Sequence, residues 1–169
     1  MSNRSRLDVA LRQIEFAREY TLSLIDDFDE KQWFTTPQGS VTHLAWQLGH
    51  LAVAQYGLCL FRIRGRLPLD SDLMSSTFRK KFSKGTTPDP APQSNPPPSE
   101  IRAVFDQVHQ QAKAELAGLT DRDLADAIDM PYAVEATKLG GLYFCALHEM
   151  LHAGQIGALR RLLGKEPVR

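Results

Sequence analysis

Several things are scarce in these 169 residues. Cysteine occurs only as Cys59 and Cys145, too few for a disulfide scaffold. Net charge is absent: 20 Lys and Arg balance 20 Asp and Glu, so no long-range field gathers nucleic acid or an anionic membrane, and neither is an expected partner. The N-terminal stretch MSNRSRLDVALRQIEF lacks the apolar core of a secretory leader. A reduced, cytoplasmic setting is the expectation. Alternating strand patterns and internal repeats are missing too, and the length is that of one domain, 1–169.

Charge is also missing locally. From Gln32 to Phe61 there is no Asp, Glu, Lys or Arg, and from Leu139 to Leu159 the only charged residue is Glu149. His, Gln and Gly interrupt both stretches, so neither offers the roughly 20 predominantly apolar residues of a membrane span. They read as helices buried on most sides.

Around them the periodicity predicts two more helices. Leu7, Leu11, Ile14, Thr21, Leu24, Ile25 and Phe28 fall near one face of a segment from about Arg6 to Phe28. Ser40 suits the N-cap of a second helix from about Val41 to Arg64, stopped by Gly65 and Pro68. From Arg66 to Ser99 no period is sustained, and six of the ten prolines crowd its end, which predicts a long, partly polyproline-like crossover. Ile101, Val104, Phe105, Val108, Ala112 and Leu116 then define a third helix, residues 121–138 are mixed with at most a helical turn before Pro131, and the last helix runs from about Leu139 to Leu163. The expected fold is an all-α four-helix bundle with a long Pro-rich crossover between helices 2 and 3. The charge-poor helices should be the most enclosed, in the bundle or against a second copy in a homodimer.

His148 and His152 are four residues apart on the last helix, so their imidazoles lie about 40° apart around its axis and about 6 Å apart along it. His50, on the other charge-poor helix, would complete a three-nitrogen site. Three neutral imidazoles suit zinc, nickel, iron or cobalt and leave positions open for water or substrate. The plainer reading, core histidines satisfied by hydrogen bonds, competes with this one, since unpaired polar burial costs about 1–3 kcal/mol per group. His43, about 10 Å from His50 along the helix, cannot join the same mononuclear site and reads as structural or at its mouth. His109 reads as an edge residue of the third helix.

The segment His148-Glu149-Met150-Leu151-His152 also spells H-E-x-x-H, the zinc-peptidase pattern with its glutamate as general base. The surroundings disagree: Ala158 stands where a third histidine belongs, Gln155 where a glycine does, and no strand is available to hold a peptide. Glu149 remains a candidate for orienting a ligand or for an interhelical or dimer ion pair. Gln47 and Gln155, each three residues from a ligand histidine, are candidates for bonding ligands or substrate, and Trp46 and Tyr143 for lining a pocket or packing the core. Cys145 is a buried apolar thiol, a redox-sensitive one or an auxiliary ligand. Cys59 points to the opposite side of its helix from His50.

The segments Leu44-Ala45-Trp46-Gln47-Leu48-Gly49-His50-Leu51-Ala52 and His148-x-x-x-His152-Ala153-Gly154-Gln155-Ile156 resemble the DinB-like (DinB/YfiT) superfamily of four-helix metal-binding proteins. The resemblance covers most of the chain. It implies a divalent metal on His50, His148 and His152, frequent dimerisation, and chemistry with low-molecular-weight thiols, as in S-transferases and thiol-dependent isomerases. It also extends to a domain of sulfur-transferring synthases, whose second domain has no counterpart here.

The reading that follows is a metal-dependent transferase or hydrolase acting on a small molecule, with Glu149 and Gln155 as catalytic candidates. Zinc or nickel is expected ahead of iron or manganese, with a small thiol as co-substrate. The alternative is a metal-binding or stress-associated bundle without chemistry. No cationic cluster is evident beside the histidines; Arg62, Arg64 and Arg66 are expected in solvent at the far end of their helix.

Overall fold

A computed structural model describes residues 5–130 and 132–168. The chain is all-α, and among the described residues the only β-type pairing is an isolated bridge between Ala127 and Thr137. Four long helices build the core: α1 (Ser5–Ile25), α2 (Leu44–Tyr56), α6 (Pro98–Leu116) and α7 (Lys138–Leu162). Three short ones, α3 (Arg62–Arg64), α4 (Asp70–Leu73) and α5 (Ser76–Lys81), lie between α2 and α6. Helix α1 packs along α7, and α2 packs against both α6 and α7.

The expected apolar faces form the core. Leu7, Ile14, Leu24 and Ile25 of α1 are buried, as are Ile101, Val104, Phe105, Val108 and Leu116 of α6. Pro98 occupies the first turn of α6, where its missing N–H costs nothing. Thr137 caps α7 by accepting from the Gly140 N–H.

Local chemistry shifts several boundaries. Ser40 does not cap α2. Its hydroxyl is held in a turn with Thr42, and His43 caps instead, its Nδ1 accepting from the Trp46 N–H at 3.2 Å. The His43 Nε2–H donates to the Asp89 carbonyl at 3.0 Å, so this histidine is structural, as its distance from the site implied. Helix α1 ends at Ile25 rather than Phe28. The connection from 65 to 97 is not without helices: it holds α4, α5, whose N-cap Ser75 accepts from the Phe78 N–H, and a 3-10 turn at Pro92–Ser94. No helical turn forms from 121 to 130, and Pro131 lies outside the described residues.

After Tyr56 the second long helix passes through a π turn, Gly57–Phe61, before α3. One extra residue per turn rotates everything beyond by about 100°. Cys59, inside this turn, faces α7, where its Sγ lies 3.5 Å from that of Cys145, both thiols buried. This overturns the expectation that Cys59 faces away. Bonding to Cys59 and burial raise the Cys145 thiol well above its ordinary pKa, which fits an unreactive core thiol. Arg64 is not solvated either: it bridges buried Asp70 and Glu115, pinning α3 and α4 to α6.

A buried polar network crosses the bundle. Arg18 of α1 donates to Glu149 of α7, the Phe105 carbonyl of α6 and Gln55 of α2, each at 2.8 Å. With its oxygen held by Arg18, the Gln55 amide donates to His109 Nδ1 at 3.0 Å, which leaves the proton on Nε2 facing Glu15. His109 is thus 2% exposed, not an edge residue. Burial, with the Arg18 charge second, pushes its pKa down to about 4. A histidine lowered in the folded state binds protons preferentially when unfolded, so its contribution is full above pH 6.5 and is lost as pH falls toward 4. Urea unfolding from pH 7 to 4 should show His109→Gln losing less stability than the parent, by up to about 3 kcal/mol. Parallel losses in both proteins would refute the burial of a neutral imidazole here.

Candidate metal centre

Three of the five histidines converge. One nitrogen from each of His50, His148 and His152 lies within 4.8 Å of the other two. Ring centroids are 5.3 Å apart for His50–His148, 5.0 Å for His50–His152 and 4.5 Å for His148–His152. The i, i+4 spacing on α7 brings two of them together, and the packing of α2 on α7 adds the third.

The surroundings fix which nitrogens are free. His50 Nδ1–H donates to the Phe82 carbonyl at 2.9 Å, and His152 Nδ1–H donates to Gln47 Oε1. The Gln47 Nε2 donates to Thr42 Oγ1 at 3.0 Å, which turns its Oε1 toward His152. Both imidazoles therefore carry their proton on Nδ1 and keep an Nε2 lone pair available, the arrangement that outer hydrogen bonds impose on ligating histidines. The Trp46 ring stacks on His50 at 4.8 Å and 6°, and its indole N–H is held by Thr86.

Gly49 permits the Phe82 contact. A Cβ there would meet the Phe82 ring at 2.4 Å, so the residue before His50 must be glycine for the loop after α5 to close over α2. Phe82 itself is fully buried.

Electrostatics keep the triad neutral. Burial lowers all three pKa values: His148 goes to about 4 and His152 to about 3, with neighbouring histidines adding to the shift in each, while Lys84 adds to that of His50. Neutral imidazoles are the form a metal needs. Donor type, available lone pairs and protonation thus fit one divalent cation, with the remaining positions facing a cavity of about 730 Å³ lined by all three histidines.

The other predicted residues fall elsewhere. Glu149 turns its carboxylate to Arg18, fulfilling the interhelical ion-pair reading, and is 2% exposed. Gln155 is exposed and lines a second cavity of about 490 Å³ with Trp46 and Gln47. The Tyr143 hydroxyl donates to the Arg6 carbonyl; Phe144 and Tyr132 line the first cavity instead. Cys145 is not part of the ligand cluster.

Sequence reasoning missed the cavity's cations. Arg62, expected in solvent, lines it together with Arg79 and Lys84. In an unbroken α-helix Arg62 would lie about 120° from His50; the π turn reduces this to about 20°. Arg79 and Lys84 come from α5 and its following loop, in the stretch read as a long, partly polyproline-like crossover.

A family model described as the DinB superfamily matches residues 13–156. No curated protein sequence matches the chain.

Proposed function

Because the chain belongs to the DinB superfamily, we propose that it is a divalent-metal-dependent enzyme transferring a small thiol to, or hydrolysing, a small molecule. The observation that carries this reading is the histidine triad with two Nε2 lone pairs presented to a cavity far larger than an ion requires. A divalent ion on His50, His148 and His152, zinc or nickel foremost, supplies full positive charge that lowers the pKa of a thiol or water.

The chain's own groups do the rest. Gln47 and the Phe82 carbonyl hold His152 and His50 in their tautomers. Phe144 and Tyr132 wall the cavity and exclude water from a substrate's apolar part. Glu149 acts as a positioning residue, tying the middle of α7 to α1 from behind the histidines. Any part Gln155 plays is exerted from the second cavity. Exposed Leu147, Leu151 and Leu162, with small Gly154 and Ala158 between them, run along one side of α7 and support pairing with a second copy.

The test uses the full chain loaded with zinc or nickel. One arm supplies cysteine and 1-chloro-2,4-dinitrobenzene, where a carbon–sulfur bond forms, chloride leaves and the thiol proton passes to buffer. The other supplies p-nitrophenyl acetate, where water adds and the ester bond breaks. Metal-dependent turnover in either arm, lost in His148→Ala, is expected. Silence in both arms from protein with stoichiometric metal would instead support a bundle that binds metal without chemistry.

A further inference from the structure

The histidine cavity is cationic on one side and apolar in its body. Arg62, Arg79 and Lys84 line it, and among the described residues no Asp or Glu does. Among the described residues, Arg18, Arg64, Arg102 and Arg160 each meet a carboxylate within 4.0 Å, whereas Arg62 and Arg79 have no such ion pair. Both are only half exposed. Arg62 makes a single long contact, 3.5 Å to the Gly57 carbonyl. Two guanidiniums without a carboxylate partner on the wall of one cavity are open to charge-assisted bonds with an anion that enters it. Lys84, two residues after Phe82, whose carbonyl holds His50, and with its Nζ 5.4 Å from the Tyr132 ring centroid, adds a third cation nearer the histidine end.

Distance adds a second constraint. Arg62 follows His50 by twelve residues, about 18 Å along the helix, although its side chain leans back toward the N-terminus. Between the two ends the wall is Val53, Leu58, Phe61 and Phe144.

We infer that this cavity takes an elongated organic anion: an acidic end, such as a carboxylate or sulfonate, held by Arg62 and Arg79, an apolar body on the wall between, and the reacting end at the histidines. This deepens the enzymatic reading above and rests on it for the word reacting. The anion site itself needs no metal.

Two fluorescent probes that share one aromatic body separate the contributions. 8-Anilino-1-naphthalenesulfonate carries a sulfonate, and N-phenyl-1-naphthylamine is neutral. Titrated into the full chain at pH 7.5, with metal content measured on the same samples, the sulfonate should bind one site at least about tenfold more tightly than the neutral probe. In the Arg62→Gln/Arg79→Gln variant the two affinities should come within about twofold of each other, with neutral-probe binding and metal content unchanged. Unchanged neutral-probe binding also reports an intact cavity. His148→Ala should lose metal yet keep the preference for the sulfonate. The proposal is overturned if the wild type shows no preference, or if the preference survives in the double arginine variant. It is equally overturned if His148→Ala abolishes the preference, which would put the anion on the metal. Wild-type protein that takes up no metal but prefers the sulfonate would sink the enzymatic reading alone.

Discussion

His148→Ala is expected to lower the chain's affinity for zinc at least about a hundredfold while leaving it folded. Loss of an outer hydrogen bond to a ligand typically costs 10–100-fold in metal affinity, so loss of a ligand should exceed the upper end of that range. His148 is the informative position because it is only half-buried, whereas His50 and His152 are also bound to Phe82 and Gln47. His50→Ala would remove a ligand and also release the loop that closes over α2. Gln47→Leu makes a graded comparison: it keeps three nitrogens but frees His152 to rotate, and about 10–100-fold should be lost. Competition against a chromogenic chelator at pH 7.5 measures all three, with circular dichroism as the check on folding. One equivalent of zinc held by His148→Ala at the parent's affinity would remove the triad as a metal centre.

The ordering of these effects reflects what was legible in the sequence. The ligand set depended on two local facts, the i, i+4 spacing on α7 and the absence of charge around His50, and both survive into the structure because helix periodicity is local. The partners that orient the ligands were less accessible. Gln47 could be flagged from its spacing to His50, yet it serves His152, on a different helix. The Phe82 carbonyl carried no signal, since any residue has one; only Gly49, tight against the Phe82 ring, hinted at a close approach.

The cations failed for another reason. A π turn changes the phase of everything after it, and Gly57 to Phe61 do not announce one by composition. An uninterrupted 100° rotation therefore put Cys59 on the wrong side, and Arg62 was assigned to solvent from its place at the far end of the helix. The connection between α2 and α6 was misread because α4 and α5 are only four and six residues long, too short for a period to register. Helix α4 is held by bonds from outside it, Asp70 with Tyr56 and Arg64.

Glu149→Ala should be the most destabilising of the substitutions considered, by about 3–5 kcal/mol in urea unfolding, because it strands the Arg18 guanidinium in the core. Arg18 and Glu149 side chains are 3% and 2% exposed and 2.8 Å apart. Arg18 also sits 3.4 Å over the Phe105 ring and bonds the Phe105 carbonyl and Gln55, so it cannot swing out to solvent without abandoning contacts with α2 and α6. Removing both charges together is a different matter. An Arg18→Met/Glu149→Leu pair gives up the ion pair and its desolvation at once, and should recover most of the loss, with an interaction energy of several kcal/mol in the double-mutant cycle. The same cycle decides what the glutamate of H-E-x-x-H does here. A general base would show its loss in turnover at unchanged stability; a buried tie between α1 and α7 shows it in the unfolding midpoint, with metal affinity falling only as far as α7 is loosened. If Glu149→Gln unfolds like the parent and yet abolishes hydrolysis by the metal-loaded chain, the carboxylate belongs to the chemistry and the ion pair with Arg18 is incidental.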